Sequence, residues 1–302
     1  MSGGYFDDER KEYVITDMYP RRKWLNYLWN DTAVCACDQF GCGTSWSVIG
    51  GNRREIEGGD RNLTLHGGEK LVYIKDEETG EYYAANRNYE KLSFDTFECR
   101  VGLGYQKVIG EYKGIRVAFT TLVPISGNAV QFNVKIANTG AKNRKLQVYF
   151  YAQPKTENGG HEAYAQADYD KNIHGIYYDT TGYKLETEYI KTYFAADREA
   201  DSYAVTKNAF KGLYSDYAHP EGVENGKLCG KGSTFEESYV GAFEYGIRLS
   251  GGEETEITFA CGFAKTYEEC AAYAKTYANT SEFSRQLRLQ KEKNGQSLPQ
   301  FP

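Results

Sequence analysis

The chain has little proline, methionine or histidine: 6, 2 and 4 of each in 302 residues. The four histidines form no HxH or HExxH spacing, so no zinc-hydrolase motif is present. No run of 18 consecutive apolar residues occurs, which excludes a membrane-crossing helix of the usual kind. The opening residues Met1-Ser2-Gly3-Gly4 lack the basic start and apolar core of a secretory leader. Basic charge is not in excess either. Lys and Arg total 36 against 42 Asp and Glu, a net charge of −6, so no global attraction draws the chain to phosphate backbones or anionic lipid. Neither nucleic acid nor a membrane is expected as a partner. Seven cysteines, an odd number without a CxxC pair, predict reduced and mostly buried thiols in a cytoplasmic chain. Sequons at Asn30, Asn62 and Asn279 matter only to a secreted protein.

What is abundant is tyrosine, 27 residues, together with 32 glycines. Aromatics suit the pleated surface of a sheet and glycine suits turns and bulges, so the composition points to β-structure. The length fits two average domains or one large all-β domain. Strands are predicted over 104–112, 115–123, 129–138, 145–151, 173–178, 189–195, 202–207, 242–249 and 256–261, each rich in Val, Ile, Phe and Tyr and bounded by Gly, Asn, Ser or Pro. In 131–137 polar and apolar residues alternate with period two, which predicts a half-buried antiparallel strand. No helices alternate with these strands, so a large sandwich is expected rather than a parallel α/β fold. Residues 154–169 and 212–238 read as long irregular connections. From Tyr267 to Lys293 the composition changes to Ala, Glu, Lys, Arg and Gln. One or two helices are predicted there, with Thr266 as N-cap, Glu269 completing a capping box, and Asn294-Gly295 as the stop.

Chemistry-bearing motifs are weak. Asp168–Asp179 has the opening spacing of a calcium loop but carries Ile173 where the turn needs Gly and Asp179 where a Glu should bind. His161 and His174, near Glu157, Glu162 and Asp168, have no metal spacing and read as loop histidines. Gly102-Leu103-Gly104 leads into a strand and is a structural turn. The acidic run from Asp76 to Glu81 reads as a hairpin turn. Ser45 and Cys99 have no partner that would make either a nucleophile. The aromatic supply remains: Trp24, Tyr27, Trp29, Trp46, Tyr105, Tyr164 and Tyr169. Such rings stack on the C–H faces of sugars, while their commonest use in β proteins is core packing.

Several segments in order carry a family resemblance: Gly4–Thr16, Arg22–Leu28, Gly41-Cys42-Gly43-Thr44-Ser45-Trp46, Asn52-Arg53-Arg54, Tyr73–Tyr83, Phe97–Tyr105, Ala209–Gly212, Gly222–Leu228 and Leu249–Gly262. Together they resemble the N-terminal region of glycoside hydrolase family 94 phosphorylases, the cellobiose, cellodextrin and chitobiose enzymes formerly called glycosyltransferase family 36. The resemblance implies an all-β fold, a large antiparallel β-supersandwich of the galactose-mutarotase type over 1–265, a C-terminal helical linker over 266–293 and a loose tail over 294–302. It also implies a catalytic (α/α)6 barrel that is expected to be absent from this chain, and with it the general acid. The expected function is that of a non-catalytic, carbohydrate-associated sandwich of an inverting β-glucoside phosphorylase, a subunit or a truncated part. The alternative is a free-standing carbohydrate-binding or assembly module for β-glucans or oligosaccharides. A sugar epimerase acting alone is a third reading, resting on fold analogy only. No cofactor is expected, inorganic phosphate being only the co-substrate of a complete enzyme. Implied partners are an oligosaccharide or β-glucan, a separately encoded (α/α)6 barrel subunit, and a second copy in a homodimer. Candidate sugar-contacting residues are Thr44, Trp46, Arg100, Tyr105, Gln166 and Tyr169. Thr44 stands where a Tyr is common in the family, Val101 where a His is common, and Ala167 where an Arg tends to follow the Gln.

Overall fold

A computed structural model describes residues 3–22, 24–49, 52–57, 69–154, 163–182, 191–230 and 239–296. In chain order the first strands are β1 (Gly4–Asp7), β2 (Glu12–Ile15), β3 (Leu25–Trp29), β4 (Ala33–Asp38), β5 (Ser45–Ile49) and β6 (Asn52–Glu57). Then come β7 (Leu71–Asp76), β8 (Tyr82–Ala84), β9 (Thr96–Gly102), β10 (Tyr105–Tyr112), β11 (Ile115–Leu122), β12 (Ala129–Asn138) and β13 (Arg144–Ala152). Next are β14 (Ala163–Asp170), β15 (Gly175–Gly182), β16 (Lys191–Ala196), β17 (Ser202–Thr206) and the short helices α1 (Lys207–Lys211) and α2 (Glu221–Glu224). The chain closes with β18 (Tyr239–Leu249), β19 (Glu254–Ala264), α3 (Tyr267–Tyr277) and α4 (Thr280–Gln296).

These strands build a ten-stranded sheet in the order β1-β2-β9-β10-β11-β12-β19-β16-β15-β14, a five-stranded sheet β17-β18-β13-β7-β8 and a four-stranded sheet β3-β4-β5-β6. Short connections between sheets, such as residues 250–253 between β18 and β19, let one strand join the five-stranded sheet and the next the ten-stranded one. The core fills the gap between those two sheets. Phe150 on β13 meets Phe119, Phe132, Phe194 and Phe259 with ring centroids 4.4 to 5.7 Å apart, and all are buried. The outer face of the five-stranded sheet is tyrosine-rich. Tyr73, Tyr149 and Tyr151 are fully buried there beside Phe210 of α1, and the Tyr73 hydroxyl donates to the Tyr217 carbonyl at 2.7 Å. Such an acceptor offsets the cost of burying the hydroxyl, so the tyrosine excess is in good part a core with polar tips.

Several expectations change. The pattern of β12 predicts one exposed face, yet Gln131 and Asn133 are buried because the C-terminal helices lie over that face. Gln131 Nε2 donates to the Tyr277 carbonyl at 2.7 Å, and Asn133 Nδ2 donates to Thr258 Oγ1 at 3.0 Å. The stretch 154–169, expected to be irregular, ends in β14, paired in antiparallel register with β15; residues 155–162, with His161, Glu157 and Glu162, lie outside the described residues. The strand expected from Ile173 begins at Gly175, since His174 adopts φ +47° in the turn. Thr266 caps α3, accepting from Glu269 N at 3.2 Å, but the Glu269 carboxylate takes the N–H of Lys265, one residue before the cap, so the reciprocal half of the capping box is displaced. The helix stop at Asn294-Gly295 is overrun because Asn294 Nδ2 bonds back to the Gln290 carbonyl at 2.8 Å. Asp76–Gly80 is the hairpin turn between β7 and β8 as expected, with Asp76 paired to Arg144.

Glu244 on β18 is a buried carboxylate whose pKa burial pushes up. A raised carboxyl pKa means that the folded chain holds this proton more tightly than the unfolded one. Stability is therefore lost as pH rises from the ordinary carboxylate range through the raised value. Glu244→Gln, which keeps an oxygen for the Ser202 hydroxyl that now donates to it at 2.9 Å, is expected to stabilise the fold at neutral pH by on the order of 1 kcal/mol. In urea melts the advantage over wild type should vanish as pH falls through the carboxylate range.

Candidate functional site

The glycine-containing turn before Thr44 is rigid for reasons that the sequence hides. Asp38 at the end of β4 folds the turn on itself: its Oδ1 accepts from Phe40 N at 2.9 Å and Cys42 N at 3.0 Å. Gly43 has φ +145°, and a Cβ there would lie 2.0 Å from the Ala36 carbonyl oxygen. Lys70, fully buried, donates Nζ to the Gly43 carbonyl at 3.0 Å. Beside it Glu69 pairs with Arg87 at 2.6 Å, and the Arg87 guanidinium sits over the Phe40 and Tyr89 rings. Burial and the neighbouring Glu69 and Asp38 push the Cys42 thiol well up, which makes it inert. This network presents Thr44 half-buried at the start of β5. Gly43→Ala is expected to destabilise the chain by about 1–3 kcal/mol, measured as a fall in thermal midpoint, because backbone rather than a movable side chain blocks the added carbon.

Arg100 on β9 is the hub of a second network. Nη1 reaches Glu12 at 2.8 Å and Asp7 at 3.1 Å, and Nε reaches Glu98 at 2.7 Å. Burial opposes its charge, but the hydrogen bonds it donates to Glu12 and Glu98 outweigh burial and leave the guanidinium more firmly protonated than usual. Tyr105, expected as a sugar-facing aromatic, is instead buried: its hydroxyl donates to Glu12, Lys291 of α4 lies 4.7 Å from its ring centre, and Phe283 packs on it. The helix α4 covers this end of the strand. Strand alternation puts Asp7, Glu12, Glu98, Arg100 and Tyr105 on one face of the sheet. Asp7, Glu12 and Glu98 carry no motif, and their partnership with Arg100 spans up to 93 residues, so no local signal could reveal it.

Gln166 is exposed on the edge strand β14, opposite Asp179. Tyr169 is half-buried, stacked on Tyr203 with centroids 4.8 Å apart and 22° between planes, and its hydroxyl accepts from Ala200 N at 2.9 Å. Trp46 lies in β5 with its backbone paired to Val34; its side chain, like those of Tyr164 and the Arg53-Arg54 pair, lies outside the described residues. Thus the six candidates do not form one cluster. Gln166 and Tyr169 stand on one edge strand of the ten-stranded sheet, and Arg100 stands seven strand positions away, roughly 30 Å along the sheet at about 4.8 Å per strand. No group of three His, Cys, Asp or Glu among the described residues has metal-binding geometry. None of the seven cysteines forms a disulfide; six are buried and Cys229 is exposed.

Comparison with known proteins assigns this architecture. Residues 11–280 match the family model described as the glycosyl hydrolase 94 supersandwich domain. The 3-O-β-D-glucopyranosyl-β-D-glucuronide phosphorylase of Paenibacillus borealis is 30% identical over 275 residues, which are 88% of this chain and 34% of that protein. The N,N'-diacetylchitobiose phosphorylase of Vibrio furnissii is 27% identical over 277 residues with the same shares. A solved structure described as a candidate kojibiose phosphorylase from the human microbiome superposes with TM-score 0.53 at 10% identity, over 98% of this chain and 39% of that one; at that identity the likeness is one of fold. The chain spans about a third of the length of the curated relatives it matches. Its antiparallel sheets, its C-terminal helices and the match over residues 11–280 agree, and the chain belongs to the glycosyl hydrolase 94 supersandwich-domain family.

Proposed function

We propose that this sandwich is the non-catalytic, carbohydrate-associated component of an inverting glycoside phosphorylase and works with an (α/α)6 barrel that carries the chemistry. The observation that supports this is the alignment of 88% of the chain with a third of each of two phosphorylases. The described geometry is in keeping with it. Inverting transfer needs an acid to protonate the leaving oxygen while phosphate attacks the opposite face. The carboxylates gathered around Arg100 are each held by that guanidinium, an arrangement that braces a fold rather than releases a proton. The test is phosphorolysis of β-linked disaccharides. The purified chain with inorganic phosphate should release no sugar 1-phosphate, and co-expression with a family barrel on a second polypeptide should give a co-purifying complex that does. Release by the chain alone, or failure of any barrel to associate, overturns the reading.

A further inference from the structure

Between the β1-β2-β9-β10 end of the large sheet and the β3-β4 hairpin lies a cavity of about 450 Å³, within the range of roughly 300–1,000 Å³ usual for small-molecule sites. Its wall is a run of rings. Phe6 meets Tyr13 at 4.8 Å and Tyr13 meets Trp24 at 5.2 Å between centroids, while Phe6 is 76% and Trp24 45% exposed. Its polar lining includes three carboxamides, Asn26, Gln39 and Gln106, besides the Tyr13 hydroxyl and the Cys99 thiol. Gln106 is satisfied, donating to the Asp38 carbonyl. Asn26 Nδ2 and Gln39 Oε1 are shut from water and meet no partner, and Gln39 as a whole is 4% exposed. Leaving a buried donor and a buried acceptor unmatched is unfavourable, and native folds rarely do so without a reason. None of the ten lining residues carries a formal charge at neutral pH. Asp7, Glu12 and Arg100, each next in sequence to a lining residue, alternate onto the other face of the strands and are occupied with one another.

We infer that this cavity is a binding site for a neutral pyranose, the end of an uncharged saccharide. A pyranose offers C–H faces to the Phe6, Tyr13 and Trp24 rings. It also offers hydroxyls that donate and accept at once, as Asn26 Nδ2 and Gln39 Oε1 together require once their amides turn into the cavity. A carboxylate or phosphate entering the same space would shed water with no cation among the lining residues to meet it, so acidic sugars are discriminated against. The inference stands on the cavity and does not depend on association with a barrel.

Binding to the full chain, followed by calorimetry and by the side-chain amide resonances of Asn26 and Gln39, tests it. Cellobiose or glucose should saturate with a dissociation constant of millimolar order or tighter and shift both amides. Glucuronic acid and glucose 1-phosphate should bind at least about tenfold more weakly, a difference of about 1.4 kcal/mol. Trp24→Ala should weaken the neutral sugar at least about tenfold with an unchanged melting temperature, Trp24→Phe should retain most of the binding, and Gln39→Met should lose it. No saturation by neutral mono- or disaccharides up to about 50 mM, equal affinity for the charged sugars, or undiminished binding by Trp24→Ala overturns the proposal. Phosphorolysis in the presence of a barrel is read separately, so failure here leaves the assembly reading standing, and the reverse.

Discussion

Phe150→Ala is expected to cost about 3–5 kcal/mol of folding stability, the largest loss from any single truncation considered in the core. The side chain is fully buried, and its ring reaches from the five-stranded sheet to rings of four strands of the ten-stranded sheet, β11, β12, β16 and β19. Two packed sheets cannot move together to refill a hole at their centre without dragging whole hydrogen-bonded ladders, so the cavity persists and its neighbours lose their contacts. Phe150→Leu should recover most of the loss, because volume and apolar character are largely kept. Urea unfolding of the three proteins provides the measurement: a lower midpoint with an unchanged slope for the alanine variant is the expected outcome. A loss under about 1 kcal/mol would mean that the two sheets do not share this core.

How far the fold was legible follows from which forces act locally. The runs around Phe119, Val134, Val148 and Phe259 alternate or cluster within one strand, and each emerged as a strand close to its expected bounds. The buried outer face of β12 was not legible, since Gln131 and Asn133 look like solvent-facing residues until α3 is laid over them. The same applies to Tyr105, whose place under Lys291 depends on a helix 186 positions later (291 − 105). Ordered resemblance across many segments carried the family; single residues were less transferable. Arg100 and Tyr169, both expected to face sugar, are tied to partners of this chain, and the six candidates spread over separate parts of the sandwich. The aromatic cavity was hidden for the same reason: Phe6, Trp24 and Gln39 come from three segments that only the packing of two sheets brings together.

Arg100→Ala is expected to destabilise the fold by about 3 kcal/mol at neutral pH. That is the low end of the roughly 3–5 kcal/mol seen when one partner of a buried ion pair is removed, because 15% of the Arg100 side chain stays exposed. The loss comes from what remains: Glu12, whose side chain is 3% exposed, and Glu98 lose their paired guanidinium, and Asp7 keeps only that of Arg10. Its pH dependence has a definite sign. The Arg10 and Arg100 guanidiniums hold the Asp7 carboxyl below its usual range. In the wild type that stabilisation is present above the ordinary carboxylate pKa and is lost as pH falls through the depressed value. Arg100→Ala takes one of those two guanidiniums from Asp7 and forfeits that part of the stabilisation at neutral pH only, so the two stability curves should converge in acid. Arg100→Lys keeps the charge but not a planar fork that spans three carboxylates, and should fall between the two. A position whose main role is to touch sugar would behave otherwise, with little change in stability and a loss confined to binding. The convergence of the melting curves therefore decides whether this arginine braces the sandwich or serves its ligand.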